Sequence, residues 1–198
     1  MKVIGLCGGS GSGKGCVCSI LSGYGFVILD TDKIYHKLLL SDETLRGELA
    51  SAFGRSILSD ADGIDRKRLG AIVFSDNTGE KLGILNKITH THILATVRDK
   101  IAVARRENKI GCVVDAPLLF ESGFDKECDT TLAVISDREK RISRIMLRDS
   151  IDRDAAIRRI DSQLDDEKLI SLCDYTVFNN GDFDDLRKKV EKIACEIL

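Results

Sequence analysis

The chain has 198 residues, 43% of them hydrophobic, enough to bury a substantial core and to fit one α/β domain with an insertion. Lys and Arg total 30 against 32 Asp and Glu, a net charge of −2, which excludes a global positive field for nucleic acid or an anionic membrane and makes any anion site local. Seven cysteines, Cys7, Cys16, Cys18, Cys112, Cys128, Cys173 and Cys195, form no C-x-x-C pair and are odd in number; this predicts reduced thiols in a cytoplasmic protein.

Residues 3–7 are a short apolar run that stops at a glycine cluster, too short for a signal-peptide core. Residues 14–22 then place Val17, Ile20 and Leu21 at helical spacing, so the chain opens as strand, loop and helix. Gly23 and Gly25 end that helix, residues 26–29 form a second buried strand, and Asp30 and Asp32 lie at its carboxyl end. From residue 33 to about 108 the pattern is helical, with Leu82, Leu85, Ile88, Ile93, Val97 and Ile101 marking one long amphipathic segment. Strands return at 112–114 and 131–135, each apolar and rich in β-branched residues, as in a parallel sheet covered on both faces. Residues 176–178 form a last strand, and Leu186, Val190, Ile193 and Ile197 a closing helix. No run approaches the length needed to span a bilayer.

The loop Gly8-Gly9-Ser10-Gly11-Ser12-Gly13-Lys14 fits the first seven positions of the Walker A pattern and sits between a predicted strand and a predicted helix. Glycines let the backbone curl around an anion, so Gly9, Ser10, Gly11, Ser12 and Gly13 offer amides to phosphate while Lys14 reaches the β and γ oxygens. A dinucleotide fingerprint read from Gly9 or Gly11 needs a glycine at position 14 or 16, which Lys14 and Cys16 occupy. The residue after the lysine, ordinarily a Ser or Thr that ligates magnesium, is Gly15, and Cys16 is a poor substitute for a hard oxygen. Weakened magnesium binding is the expectation.

Phosphoryl transfer from ATP to an alcohol also needs a carboxylate facing the acceptor and cations around the migrating group. Asp32, just past a strand end, is placed to accept the acceptor's proton or to help hold magnesium, with an N-cap for a helix starting at Lys33 as the rival reading. Asp115 ends the run Cys112-Val113-Val114 as a Walker B acid does, and the following segment with Pro117, Leu118, Phe120 and Glu121 offers one wall of a substrate pocket or ordinary core. Residues 138–159 carry eight Lys or Arg and four Asp or Glu, a local +4. Arg141, Arg144 and Arg148 recur at spacings of three and four, which predicts one guanidinium-bearing helix face that closes over the phosphates as a lid. No aromatic residue interleaves them, which weighs against single-stranded nucleic acid.

These motifs together resemble the dephospho-coenzyme A kinase family along nearly the whole chain. Gly8 to Lys14 is similar to its nucleotide loop, Asp30-Thr31-Asp32 to its D-x-D element and Asp115-Ala116-Pro117-Leu118-Leu119-Phe120-Glu121 to its D-x-P-L-L-F-E segment. Arg144 with Arg148-Asp149 resembles its R-x-x-x-R-D lid helix, Arg159-Ile160 with Gln163 its R-I-x-x-Q, and Asn179-Asn180-Gly181 its loop near the adenine. Asp65-Arg66, Leu69, Phe74 and Ile88-Thr89-His90 resemble its acceptor-binding helices; Thr91 stands where the family usually has proline, and Arg141 where it usually has glutamine.

The resemblance implies a P-loop NTPase fold, a parallel sheet flanked by helices. Residues 1–32 with 109–136 and 172–198 would form the nucleotide-binding core, 33–108 a helical acceptor domain, and 137–171 a lid. It further implies transfer of the γ-phosphoryl group of ATP, with magnesium, to the ribose 3′-hydroxyl of dephospho-coenzyme A, by a monomer or weak homo-oligomer. Asp32 is then the general base; Lys14, Arg144 and Arg148 stabilise the moving group; Asp115 and Asp32 serve the metal. Arg66, His90 and the segment from Pro117 to Glu121 meet the acceptor, and Gly15, Cys16 and Asn179 the nucleotide. Read from the residues without the family, a kinase of another acceptor, a nucleotide-binding switch and a kinase relative impaired by Gly15 stay open. The switch lacks an N-K-x-D guanine signature, since Asn86-Lys87-Ile88-Thr89 is the nearest string.

Overall fold

A computed structural model describes residues 1–59, 63–76 and 78–198; positions 60–62 and 77, inside the expected helical insertion, lie outside it. Contacts divide the chain into two compact units, one of Met1–Leu29 with Ile101–Leu198 and one of Asp30–Lys100.

The first unit is built on a five-stranded sheet. Strand β1 (Lys2–Cys7) leads through the glycine loop into helix α1 (Lys14–Gly23), and β2 (Phe26–Asp30) follows. After the helical segment come β3 (Gly111–Asp115), β4 (Thr130–Ile135) and β5 (Tyr175–Phe178), giving the order β2-β3-β1-β4-β5. Strand β1 pairs in parallel with β3 and β4, and β4 in parallel with β5. Every residue of β1 except Lys2, and all of β4, is buried, which is why these strands read as unbroken apolar runs. Because β1 lies between β3 and β4, its carboxyl end opens at the switch point where parallel sheets bind ligands, and the glycine loop starts there.

One face of the sheet is covered by α1 and by α9 (Phe183–Ile197): Ile4, Leu6, Val113, Leu132, Val134 and Val177 form one core with Val17, Leu21, Leu186 and Val190. On β1, Gly5 leaves room for Leu119 and Cys128, each of which has an atom 2.9 Å from where a Cβ would stand. Leu119 of the D-x-P-L-L-F-E segment is thus core, whereas Pro117 and Leu118 are exposed. Helices α6 (Arg138–Asp149) and α7 (Arg153–Asp161) close on each other through Ile142, Ile145, Ala156 and Ile160, with Ser150 in the left-handed conformation at the turn; α8 (Asp166–Leu172) leads to β5. These three helices belong to the same compact unit as the strands.

The second unit contains α2 (Thr31–Ser41), α3 (Glu43–Phe53), a 3₁₀ turn at Arg55–Ile57, α4 (Arg66–Phe74) and most of α5 (Glu80–Arg106). Its core is Leu39, Leu45, Leu49, Ile57, Ile64, Leu69 and Val73. Side-chain caps start its helices: Asp30 accepts from Lys33 N–H, Asp42 from Leu45 N–H, and Asp65 from Lys67 and Arg68 N–H. The long amphipathic segment is a single helix that runs through Thr91 unbroken, with the Thr91 hydroxyl donating to the Lys87 carbonyl. Leu82 at its start and Phe74 are exposed.

Candidate nucleotide site

The loop after β1 bends back on itself, with Ser12 N–H donating to the Gly9 carbonyl at 3.1 Å. Gly13 sits at φ +101°, a left-handed conformation in which a side chain is strained, and a Cβ there would stand 2.1 Å from Asn179 Nδ2. Gly13 also caps α1 without any side-chain bond. Among the described residues the backbone N–H groups of Gly11, Gly13, Lys14 and Gly15 meet no acceptor. Four amides at a helix N-terminus, where the helix dipole is positive, make a phosphate cradle.

Lys14 Nζ donates to the Gly8 carbonyl at 3.0 Å and lies 4.0 Å from Asp115 Oδ1. Register explains the pairing: Leu6 faces Asp115 across β1 and β3, so the carboxylate ends β3 beside the root of the loop. Cys18 Sγ, one turn into α1, is 3.8 Å from Asp115 Oδ2; Cys16 is exposed. Gly15 is exposed too, and a Cβ there would meet nothing within 4 Å. All seven cysteines are free thiols, including Cys7 and Cys173, whose sulfurs are 3.3 Å apart. Their hydrogen bond and burial push the Cys7 thiol up, so it stays protonated, and Cys173 is lowered.

The three arginines expected on one helix face take three different directions. Arg141 is only 4% exposed and turns into the protein. Arg144 Nη1 donates to the Gly11 carbonyl at 3.0 Å, the Ser12 carbonyl at 3.4 Å and Ser136 Oγ at 3.1 Å, and Nη2 to the Asn179 carbonyl at 3.3 Å. Arg148 turns instead to its neighbour, with Nε and Nη2 at 2.8 and 2.9 Å from the two oxygens of Asp149. That bidentate bond, together with Arg159, holds the half-buried Asp149 carboxyl down to about 2. The scatter follows from what each position meets: the glycine loop and Asp166 at Arg141, the loop and the residues after β4 and β5 at Arg144, and a chain neighbour at Arg148.

Asn179 is buried, and its side-chain amide donates to the Ser12 carbonyl at 2.8 Å, so its carboxamide is engaged with the loop. Asn180 ties down the start of α6, accepting from Asp137 N–H at 2.8 Å. A small cavity of about 120 Å³ lies among Gly8, Gly9, Pro117, Glu121, Gln163 and Leu164, beside the loop; Leu118 lines it, and Phe120, half-buried, does not. The pocket wall expected from the D-x-P-L-L-F-E segment is thereby split between cavity and core.

In the second unit, Asp32 is exposed in the first turn of α2. The N-cap of that helix is Asp30, not Asp32, because the helix begins at Thr31, two residues ahead of the expected Lys33; this leaves the Asp32 carboxylate free of the capping role. Arg66 is the exposed first residue of α4, and His90 is half-buried on α5. Sequence reasoning missed Ser136 and Asp166, which hold Arg144 and Arg141: both are single polar residues, 8 and 25 residues from their partners, with no spacing pattern to betray them.

A parallel sheet with a glycine loop at its switch point, unspent amides around a lysine, and an acid at the end of the neighbouring strand define a P-loop kinase. Residues 2–185 match the family model of dephospho-CoA kinase. The chain is 41% identical over 198 residues to the dephospho-CoA kinase of Fusobacterium nucleatum, covering 100% of this chain and 99% of that one. Among solved structures it is similar to dephospho-CoA kinase from Campylobacter jejuni, with a TM-score of 0.72 and 30% identity over 98% of this chain and 96% of that one. It is also similar to TT1252 from Thermus thermophilus, with a TM-score of 0.82 and 26% identity over 100% and 98% of the two chains. The chain belongs to the dephospho-CoA kinase family.

Proposed function

We propose that this protein transfers the γ-phosphoryl group of ATP to the ribose 3′-hydroxyl of dephospho-CoA, giving CoA and ADP in the last step of coenzyme A synthesis. The observation that carries the reading is the row of unspent amides at Gly11, Gly13, Lys14 and Gly15 in a chain of this family. Those groups suit the β- and γ-phosphates, and Lys14 neutralises charge that develops as the phosphoryl group moves. Asp32 takes the proton of the 3′-hydroxyl, the ribose oxygen bonds to the γ-phosphorus, and the bridging oxygen leaves with ADP. Arg144 and Arg148 clamp the moving group, Arg148 by exchanging Asp149 for phosphate. Arg66, His90, Pro117, Leu118, Phe120 and Glu121 receive the acceptor, and Asn179 borders the nucleotide.

The residues fit magnesium. Asp115 supplies hard oxygens beside Lys14, Asp32 is a second candidate carboxylate, and the open space at Gly15 admits water where a hydroxyl is ordinarily found. When bound, the ion neutralises the β- and γ-oxygens of ATP. The proposed location is the cytoplasm, and the proposed state a monomer or weak homo-oligomer; among the described residues no helix is long and apolar enough to cross a membrane.

The test is ADP release with ATP, magnesium and a panel of dephospho-CoA, adenosine and simple nucleosides. Stimulation by dephospho-CoA is expected, whereas stimulation by another acceptor alone would overturn the assignment.

A further inference from the structure

We propose that Arg141, braced by Asp166, is a positioning residue that aims the Gly11 amide at the phosphates of ATP; this rests on the proposed nucleotide site. Arg141 lies in the first turn of α6 and is 4% exposed, and so deeply buried a guanidinium persists only when its donors are matched. They are: Nε donates to the Ser10 carbonyl at 3.0 Å, Nη1 to Asp166 Oδ1 at 2.9 Å, and Nη2 to Gln163 Oε1 at 3.4 Å.

The same Gln163 oxygen accepts Ser10 N–H at 2.8 Å, and Gln163 Nε2 donates to Ser10 Oγ at 3.1 Å. Ser10 is therefore gripped at its amide, carbonyl and hydroxyl. The guanidinium also lies against the loop backbone. A Cβ on Gly9 would stand 2.0 Å from Nη2, and one on Gly11 would stand 2.7 Å from the Arg141 carbonyl oxygen. At Gly9, which has no left-handed φ, any side chain would have to displace the Arg141 guanidinium.

The link to the phosphates is the planarity of the peptide group. The Ser10 carbonyl and the Gly11 N–H share one trans peptide unit and point in opposite directions. A bond that holds the carbonyl fixes the direction of the amide opposite, and that amide is among those in the loop that meet no acceptor. Asn179 Nδ2 and Arg144 do the same to the Ser12 carbonyl, whose peptide unit carries the Gly13 N–H. Asp166 completes the device by neutralising the buried charge.

The experiment is calorimetric titration of ATP into the full chain and its variants, with KM for dephospho-CoA and the melting temperature measured alongside. Arg141→Met keeps an aliphatic chain and removes every donor; it should weaken ATP binding about tenfold or more while KM for dephospho-CoA moves by less than about twofold. Arg141→Lys, which restores one donor toward the Ser10 carbonyl, should recover part of that loss, and Asp166→Asn should weaken ATP binding by about threefold to tenfold. An ATP dissociation constant within about twofold of wild type in Arg141→Met overturns the proposal, as does an equal loss for ATP and acceptor. If Arg141→Met does not fold, Asp166→Asn decides by the same criterion. A wild-type chain that binds ATP but phosphorylates no dephospho-CoA sinks the functional reading alone, and the ATP titrations still judge Arg141. A wild-type chain that takes up no ATP overturns both.

Discussion

Lys14 and Asp115 face each other at 4.0 Å across the carboxyl ends of β1 and β3, with the lysine ammonium also held by the Gly8 carbonyl. Both side chains are 17% exposed, so the pair is drier than a surface ion pair and the ammonium is stationed before any phosphate arrives. Lys14→Met should lower kcat by about a hundredfold or more, as for loss of a preorganised charge at the reacting group. Steady-state ADP release at saturating ATP checks this, and turnover near wild type would remove Lys14 from the mechanism.

Gly15 stands where a magnesium-binding hydroxyl is ordinarily found, and a side chain there meets nothing within 4 Å. Gly15→Ser should therefore fold normally and reach half-maximal turnover at a lower magnesium concentration than wild type. A magnesium titration of the rate reads this directly; superposable curves would mean that the missing hydroxyl does not limit metal binding.

Asp32 is exposed and free of the capping role that Asp30 fills. Asp32→Asn should leave the ATP dissociation constant within about twofold and depress kcat about a hundredfold or more, as for loss of a general base. Unchanged turnover would retire the assignment.

In the helical unit, His92 Nδ1 lies 2.9 Å from Asp42 Oδ2 and Nε2 3.3 Å from Glu48 Oε2. Burial opposes the imidazolium, but the two carboxylates outweigh it and raise the histidine above 6.5. At Asp42 burial is likewise outweighed, by the Leu45 amide and His92, and the carboxyl is lowered below 3.8. The histidine's contribution to stability is thus complete below about pH 6.5 and lost as pH rises through its raised value; Asp42's is present above about pH 3.8 and lost as pH falls through its lowered value. Urea unfolding of wild type should lose up to about 1 kcal/mol more than His92→Gln between roughly pH 6 and pH 9. Parallel pH profiles would contradict it.

The sheet was legible because parallel strands covered on both faces are apolar runs: residues 3–7, 112–114 and 131–135 fall within β1, β3 and β4. The glycine loop was legible because its chemistry is local, carried by consecutive residues from Gly8 to Lys14. The direction each arginine takes was not. Arg141, Arg144 and Arg148 share a spacing, yet their partners are Ser10 with Asp166, Gly11 with Ser136, and Asp149, and only the folded placement of the glycine loop, of Asp166 and of the residue after β4 decides among these. The D-x-P-L-L-F-E segment divides for a similar reason: Leu119 is claimed by the space Gly5 leaves on β1, which no property of residues 115–121 announces.

The most direct measurement is identification of the product when the protein is incubated with ATP, magnesium and dephospho-CoA. The account predicts CoA carrying a new phosphoryl group on the ribose 3′-oxygen, formed in equal amount with ADP. Dephospho-CoA recovered unchanged, or phosphorylated at another oxygen, would contradict it.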